Sequence, residues 1–235
     1  MAYWIVKWIL TPILRLLFKV KVEGVENVPA DGPLIIASNH VSFSDSIFLP
    51  LVLKRRITFV AKAEYFDDWK TAWFFRAVGQ IPIRREGGDA SQRALDTASE
   101  VLDGGGVFGI YPEGTRSPDG RLYKGHTGIA RLALKNKTPI VPVAMIGTRE
   151  AQPIGQVKPN FFSPITIRFG KPLTYEHLAA QADDRMVLRS ITDEVMYELR
   201  ELSGQEYVNQ YAKRKADVED VPAEVLGPAP AMATA

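Results

Sequence analysis

The sequence predicts an α/β fold in which a mostly parallel sheet is flanked by helices on both faces. Short β-branched apolar runs alternate with helical patterns along most of the chain, which is typical of a parallel sheet. Several runs are apolar at every position, as strands buried on both faces require. The length of 235 residues fits one globular domain with an added element at an end.

Seven runs are predicted strands and four are predicted helices. The strands cover residues 19–23, 34–38, 57–61, 80–84, 107–111, 140–146 and 165–169, and the helices cover 44–53, 68–78, 90–102 and 125–137. Ser44 is placed to cap the first of these helices. From residue 175 to about 215 the pattern is helical and polar, whereas residues 217–235, rich in Pro, Ala and Glu, are predicted to be disordered.

Residues 1–18 are predicted to form an amphipathic helix at a membrane interface. The segment is very apolar and contains Trp4 and Trp8, but its charges make it a poor bilayer-spanning helix. A helix would place one narrow polar stripe opposite a broad apolar face, with cations reaching anionic lipid. The stripe consists of Lys7, Thr11, Arg15 and Lys19. The alternative is a helix packed on its own domain or on a partner subunit.

Composition excludes some classes of protein. With no cysteine, a disulfide framework, a thiolate metal site and a cysteine nucleophile are impossible. A net charge of +2 does not indicate a nucleic-acid partner. The clusters at residues 54–56 and 84–85 are either phosphate contacts or solvated loops.

Two polar motifs follow apolar strands. His40 is followed five positions later by Asp45, a pairing in which a carboxylate orients an imidazole that takes a proton near neutral pH. Residues 111–117 read YPEGTRS, a tight turn that presents a carboxylate, a hydroxyl and a guanidinium.

Two further segments are apolar strands with a marked feature. Residues 79–85 deliver Arg84 and Arg85 into a turn, and the alternation of side chains along a strand sends the two arginines to opposite faces. Residues 140–144 are an apolar strand containing Pro142.

In this order, the four segments resemble the glycerolipid acyltransferase family, and most closely the bacterial 1-acylglycerol-3-phosphate acyltransferases. The resemblance runs from about residue 22 to residue 170 and implies an acyltransferase domain over residues 19–216. It implies transfer of a fatty acyl group from acyl-CoA or acyl carrier protein to the free hydroxyl of 1-acylglycerol-3-phosphate. His40 would be the general base and Asp45 its orienting carboxylate, with no other cofactor and no metal.

The resemblance also implies the residues that hold the acceptor. They are Arg85, Glu113, Gly114, Thr115 and Arg116, with Asn39, Arg84 and Lys124 as additional candidates. Arg84 departs from the family pattern, which often has Asp there. Glu113 would repel a phosphate that it faced, so it holds an arginine or the glycerol hydroxyl instead. The other histidines, His126 and His177, sit in no ligand-like cluster and are predicted to lie at the surface.

A lysophospholipid acceptor places the enzyme at a bilayer. We therefore expect a peripheral protein on the cytoplasmic face of the cell membrane. Aromatic residues 65–75 are a second membrane contact, the lining of an acyl channel, or ordinary core. Two alternatives remain open. The same chemistry could act on glycerol-3-phosphate, another lysophospholipid or a glycolipid, or the chain could be a membrane-surface lipid-binding protein without catalysis.

Overall fold

Helices and strands alternate along residues 2–84, 89–156 and 158–213, the part of the chain that the computed structural model describes. Its strands are β1 (Lys19–Glu23), β2 (Leu34–Ser38), β3 (Ile57–Thr58), β4 (Val60–Lys62), β5 (Ile81–Ile83), β6 (Val107–Ile110), β7 (Leu122–Tyr123), β8 (Ile140–Ile146), β9 (Pro164–Phe169) and β10 (Tyr207–Val208). Its helices are α1 (Ala2–Leu17), α2 (Asp45–Val52), α3 (Glu64–Asp67), α4 (Trp69–Ala77), α5 (Ala90–Asp103), α6 (Gly128–Lys135), α7 (Thr148–Ala151) and α8 (Arg185–Ser203).

Six strands form the main sheet in the order β1-β9-β8-β2-β6-β3. All neighbouring pairs are parallel except β8 and β9. The pairs β4-β5 and β7-β10 are separate two-stranded parallel sheets. This arrangement confirms the predicted fold class, because the crossovers between parallel strands are helical and cover the sheet.

Helices cover both faces of the sheet, and β2 shows how. Leu34 and Ile36 belong to one apolar core, which includes Phe48 of α2 and Phe18. Ile35 and Ala37 belong to the opposite core, which is built with residues of α5, α6 and α8. Because successive side chains of a strand point to opposite faces, a strand buried on both faces needs an apolar residue at every position.

Three predictions about local structure differ from what is observed. The run 57–61 divides between β3 in the main sheet and β4 beside it. Gly204, in the left-handed region at φ 71°, ends α8, and the chain then forms β10 instead of continuing as a helix. Ser44 precedes α2 but makes no side-chain cap, since its hydroxyl lies 2.9 Å from that of Ser42. The prediction for residues 217–235 lies outside the described residues.

The basic cluster 54–56 acts within the protein. Arg55 donates to the carbonyl groups of Pro29 and Gly32 in the β1–β2 connection and of Gly105 between α5 and β6, and so joins these two connections to its own loop. Arg56 lies over the ring of Tyr3 at 5.7 Å. Both arginines therefore make contacts within the protein, although Arg56 is exposed.

Helix α1 packs on the domain along one side and is exposed along the other. Lys7 was predicted to reach lipid, but its ammonium donates to the carbonyl groups of Pro50 and Leu53 at the end of α2. A cation is favoured there because the carbonyl groups at a helix C-terminus carry partial negative charge. The exposed side, called here the apolar face of α1, consists of Trp4, Ile5, Trp8, Ile9, Ile13 and Leu16. No described helix is long and apolar enough to cross a bilayer.

The aromatic segment divides between core and surface. Phe66 is buried and packs with Phe75, whereas Trp69 and Trp73 of α4 are 77% and 59% exposed. Helix α4 contacts α1, so the helix that carries these tryptophans lies beside the helix that carries the apolar face.

Candidate active site

The loop between β2 and α2 brings His40 and Asp45 together. His40 Nδ1 lies 2.9 Å from Asp45 Oδ2, and the carboxylate is fully buried while 16% of the imidazole side chain is exposed. The same oxygen accepts the backbone N–H groups of Val41 and Ser42, each at 2.8 Å. Within the described residues, His40 Nε2 makes no hydrogen bond. Asp45 therefore holds the Nδ1–H tautomer and leaves Nε2 as the nitrogen that can take a proton.

A stack of rings supports the imidazole from one side. Tyr111, at the end of β6, lies against His40 with ring centroids 3.8 Å apart and planes inclined by 12°. Phe59 stacks on Tyr111 at 5.4 Å. Gly109 makes this possible, because a Cβ atom there would lie 2.2 Å from the Phe59 ring. The hydroxyl of Tyr111 lies 2.7 Å from that of Ser46 and so ties the stack to α2. Burial and the nearby Asp45 raise the pKa of Tyr111 well above its usual value.

Glu113 lies inside the protein instead of facing a ligand. Its exposed fraction is 1%, and its two oxygens accept the backbone N–H groups of His40 at 3.1 Å and Tyr123 at 2.8 Å. Burial raises the pKa of the Glu113 carboxyl to about 7, although the two hydrogen bonds oppose that shift. Among the described residues no arginine contacts Glu113, and the predicted contact with the glycerol hydroxyl stays a prediction. Both oxygens instead join the histidine loop to β7.

The rest of the YPEGTRS turn leaves polar groups available. Gly114 adopts φ 72° and lies close to the imidazole of His126, so a side chain at position 114 would be both strained and crowded. In the described part of the chain, the side chains of Thr115 and Arg116 make no hydrogen bond or ion pair. The backbone N–H of Ser117 donates to His40 O at 2.7 Å, so the turn is fixed directly to the histidine. A hydroxyl and a guanidinium beside His40 suit an anionic ligand.

The other candidate cations lie in different settings. Arg84 is exposed at the end of β5, and its side chain has no partner within the described residues. Arg85 lies outside the described residues. The ammonium of Lys124 lies 5.7 Å from the centre of the Tyr211 ring. The imidazole of His126 stacks on the same ring, with centroids 4.6 Å apart. His177 is exposed. The described residues contain no cluster of three or more metal-ligating side chains.

Asn39 extends the sheet where β2 ends. Its amide oxygen accepts the Met145 N–H at 2.7 Å, and its amide nitrogen donates to Met145 O at 3.0 Å. The same nitrogen donates to Gln205 Oε1 at 2.7 Å, and Gln205 Nε2 donates to Gly120 O at 2.6 Å. Asn39 is fully buried, so the candidate ligand contact is replaced by a role in positioning His40. No local pattern marks Gln205, because its partners lie far away in sequence.

The fold and this site define an α/β protein that holds a hydrogen-bonded His–Asp pair at the carboxyl ends of parallel strands. Residues 19–146, more than half of the chain, match the model of the acyltransferase family, and the chain belongs to that family.

Three relatives describe the branch of the family to which it is similar. A chloroplastic 1-acyl-sn-glycerol-3-phosphate acyltransferase of Arabidopsis thaliana is 34% identical over 59% of this chain and 39% of its own length. The Bacillus subtilis 1-acyl-sn-glycerol-3-phosphate acyltransferase is 36% identical over 57% of this chain and 66% of its own length. The crystal structure of PlsC from Thermotoga maritima, a 1-acyl-sn-glycerophosphate acyltransferase, superposes with a TM-score of 0.61 at 31% identity, covering 78% of this chain and 71% of that one. This chain therefore spans less than two thirds of either sequence relative.

Proposed function

We propose that the protein transfers a fatty acyl group from an acyl thioester to the free hydroxyl of 1-acylglycerol-3-phosphate. The observation that carries this proposal is the His40–Asp45 pair, with Nε2 unengaged by any described residue and cationic and hydroxyl side chains beside it. The similarity to proteins named 1-acyl-sn-glycerol-3-phosphate acyltransferases supports this acceptor.

The proposed reaction needs one base and no protein nucleophile. His40 Nε2 takes the proton of the acceptor hydroxyl, whose oxygen attacks the thioester carbonyl carbon. The carbon–sulfur bond then breaks, and the imidazolium returns the proton to the leaving thiolate. Asp45 stabilises the imidazolium that forms between these steps.

The serines near the histidine support direct transfer. Ser42 is fully buried, and its hydroxyl is bonded to Ser44 and to Gln152 O. Ser117 is also fully buried, and its hydroxyl contacts Asp119 and the Gly120 N–H. A covalent acyl-enzyme would require a hydroxyl or thiol within hydrogen-bond distance of the base. In the described part of the chain no hydroxyl contacts His40 Nε2, and the sequence has no cysteine.

The acceptor phosphate is assigned to Thr115 and Arg116, with Arg85 and Arg84 as further cations. A guanidinium binds phosphate through paired N–H donors, so Arg116 supplies both charge and orientation. Glu113 contributes by holding the loop and not by contacting the phosphate.

A membrane position follows from the substrate class. We assign the apolar face of α1 to the interfacial region of the cytoplasmic leaflet, where exposed tryptophans are favoured and Arg15 can meet anionic headgroups. The donor is acyl-CoA or acyl carrier protein.

The test measures release of free thiol with purified protein, an acyl-CoA series and a panel of acceptors in vesicles. His40→Ala should lower turnover by at least about 100-fold, since general base catalysis contributes ~10²–10⁴ in rate. His177→Ala is the matched control, because that histidine is exposed.

Normal turnover by His40→Ala would refute the mechanism. If the protein prefers glycerol-3-phosphate or another acceptor, the proposed reaction stands but the proposed acceptor is wrong. Vesicle binding without thiol release would favour a lipid-binding protein that is not an enzyme.

A further inference from the structure

A second exposed apolar surface lies at the end of α1. Residues 160–163, called here the Phe loop, are the last part of the connection between α7 and β9 and carry Phe161 and Phe162, which are 42% and 64% exposed. Exposed phenylalanines side by side are costly in water, so their presence at a tightly held position requires a reason.

The backbone holds Phe162 outward at a cost. Its φ is 64°, in the left-handed region that residues with a side chain seldom adopt. Hydrogen bonds fix the loop nonetheless: Asn160 N donates to Ala151 O, Asn160 Nδ2 to Glu150 O, Ser163 Oγ to Asn160 O, and Phe162 N to Leu17 O. Glycine would suit this conformation better. A strained but well-fixed position with an exposed ring indicates that the ring contacts a partner outside the domain.

The Phe loop is continuous with α1. Leu17 is the last residue of α1, and the next strand is joined to the loop by the bond from Lys19 N to Ser163 O. Phe161 packs on Phe18 at 5.9 Å, and Phe18 packs edge-on against Phe48 of α2, the helix that begins at Asp45. The Phe loop, the apolar face of α1 and helix α2 are therefore held in one arrangement.

Charge around the loop favours an anionic surface. Arg15, Lys19 and Lys158 are exposed, and none has an ion-pair partner among the described residues. Among the described residues of α7 and the α7–β9 connection, Glu150 is the one acidic residue, so cations outnumber acids along this segment and the end of α1. Aromatic rings flanked by cations suit the headgroup region of an anionic bilayer.

We propose that the Phe loop inserts Phe161 and Phe162 into the bilayer as a second contact, separate from the apolar face of α1. This inference rests on the proposed membrane function. One helix lying on a membrane can rotate about its own axis, whereas two joined contacts fix the orientation of the domain. Because Ser42, in the same loop as His40, donates to Gln152 O in the α7–β9 connection, this orientation also sets the direction in which His40 meets the lipid.

The affinity test uses Phe162→Gly in the full chain and sedimentation with phosphatidylcholine–phosphatidylglycerol vesicles. The variant should bind vesicles about tenfold or more weakly, because burial of one phenylalanine ring is worth at least that factor. Its denaturation midpoint should stay equal or rise, because glycine relieves the positive φ. The matched control is Lys137→Gly, which relieves the other positive φ of a described non-glycine residue, next to α6. Vesicle binding equal to that of the unchanged protein would overturn the inference.

The location test uses single cysteines, which the cysteine-free chain allows. An environment-sensitive fluorophore is attached at Phe162→Cys, at Trp8→Cys on α1, or at Met186→Cys on α8, which lies on the other face of the sheet. With vesicles, the labels at 162 and 8 should shift to shorter wavelength and lose quenching by iodide, while the label at 186 stays in water.

A shielded label at 8 with an aqueous label at 162 would overturn this inference and leave the proposed membrane docking standing. Aqueous labels at both positions would overturn both. Shielding at 162 without vesicles, accompanied by a doubled mass in solution, would show a protein–protein contact and also refute the lipid assignment.

Discussion

At the residue scale, the imidazole of His40 is held by two different contacts. Asp45 fixes it in its plane by a hydrogen bond, and Tyr111 fixes it from the side by stacking. The hydrogen bond between Tyr111 and Ser46 then joins the two supports, since Ser46 follows Asp45 on α2. An imidazole held from two directions loses little orientation when a ligand approaches, as the proposed role of His40 as a base requires.

This double support leads to a prediction for Tyr111. Tyr111→Leu should lower kcat by about 10- to 100-fold with little change in the acceptor KM, because a misoriented base slows proton transfer without removing binding groups. Tyr111→Phe keeps the ring stack and should lower kcat much less. Tyr197→Leu, at an exposed position on α8, is the control. Steady-state kinetics across a pH series provide the measurement, and equal kcat values for Tyr111→Leu and the unchanged protein would contradict the orienting role.

Glu113 should make stability depend on pH. Burial raises its pKa from 4.5 to about 7, so the folded protein keeps a proton that the unfolded chain releases. The stabilising contribution is complete below about pH 4.5 and is lost as pH rises through about 7, a change on the order of 3 kcal/mol. Urea unfolding at pH 5 and pH 8 measures the change. In Glu113→Gln the difference in unfolding free energy between these pH values should shrink by that amount. An unchanged difference would show that Glu113 does not titrate in this interval.

At the element scale, Gly109 in β6 leaves room for the ring stack. Gly109→Ala would place a Cβ atom 2.2 Å from the buried Phe59 ring, so the ring must move away from Tyr111. We expect a loss of about 1–3 kcal/mol in unfolding free energy and a lower kcat. Gly104→Ala is the control, because its nearest contact would be at 3.5 Å. Adding Phe59→Leu should recover part of both losses, whereas a fully stable and active Gly109→Ala would refute the packing argument.

The elements also show what local sequence can predict. β2 and β8 match their predicted bounds because unbroken apolar runs are a local signal. β7 and β10 have only two residues each, and their pairing joins Leu122 to Tyr207, so no local pattern marks them.

The same distinction applies to the site. The His-x4-Asp spacing is local, and the two side chains do meet. The direction of Glu113 depends on N–H groups of His40 and Tyr123, and Gln205 reaches Asn39 from 166 residues away. Contacts of that kind arise only when distant segments pack together.

At the scale of the whole molecule, α1 connects the surface to α2, the helix that begins at Asp45. Its two sides have different tasks: Lys7 binds the C-terminal carbonyl groups of α2, whereas Trp8 is 80% exposed. Although the two residues are adjacent in sequence, we expect replacement of Trp8 to change vesicle binding and replacement of Lys7 to change the unfolding free energy.

Trp8→Ser should weaken vesicle binding about tenfold or more while leaving the unfolding free energy unchanged, since it removes exposed apolar surface. Lys7→Met should lower the unfolding free energy by about 1–3 kcal/mol, because it leaves carbonyl groups at the end of α2 without a donor, and should preserve vesicle binding. Sedimentation with anionic vesicles and urea unfolding, applied to both variants, separate the two effects. If Trp8→Ser binds vesicles normally, α1 does not dock through its apolar face. If Lys7→Met loses vesicle binding at unchanged stability, Lys7 contacts lipid and not α2.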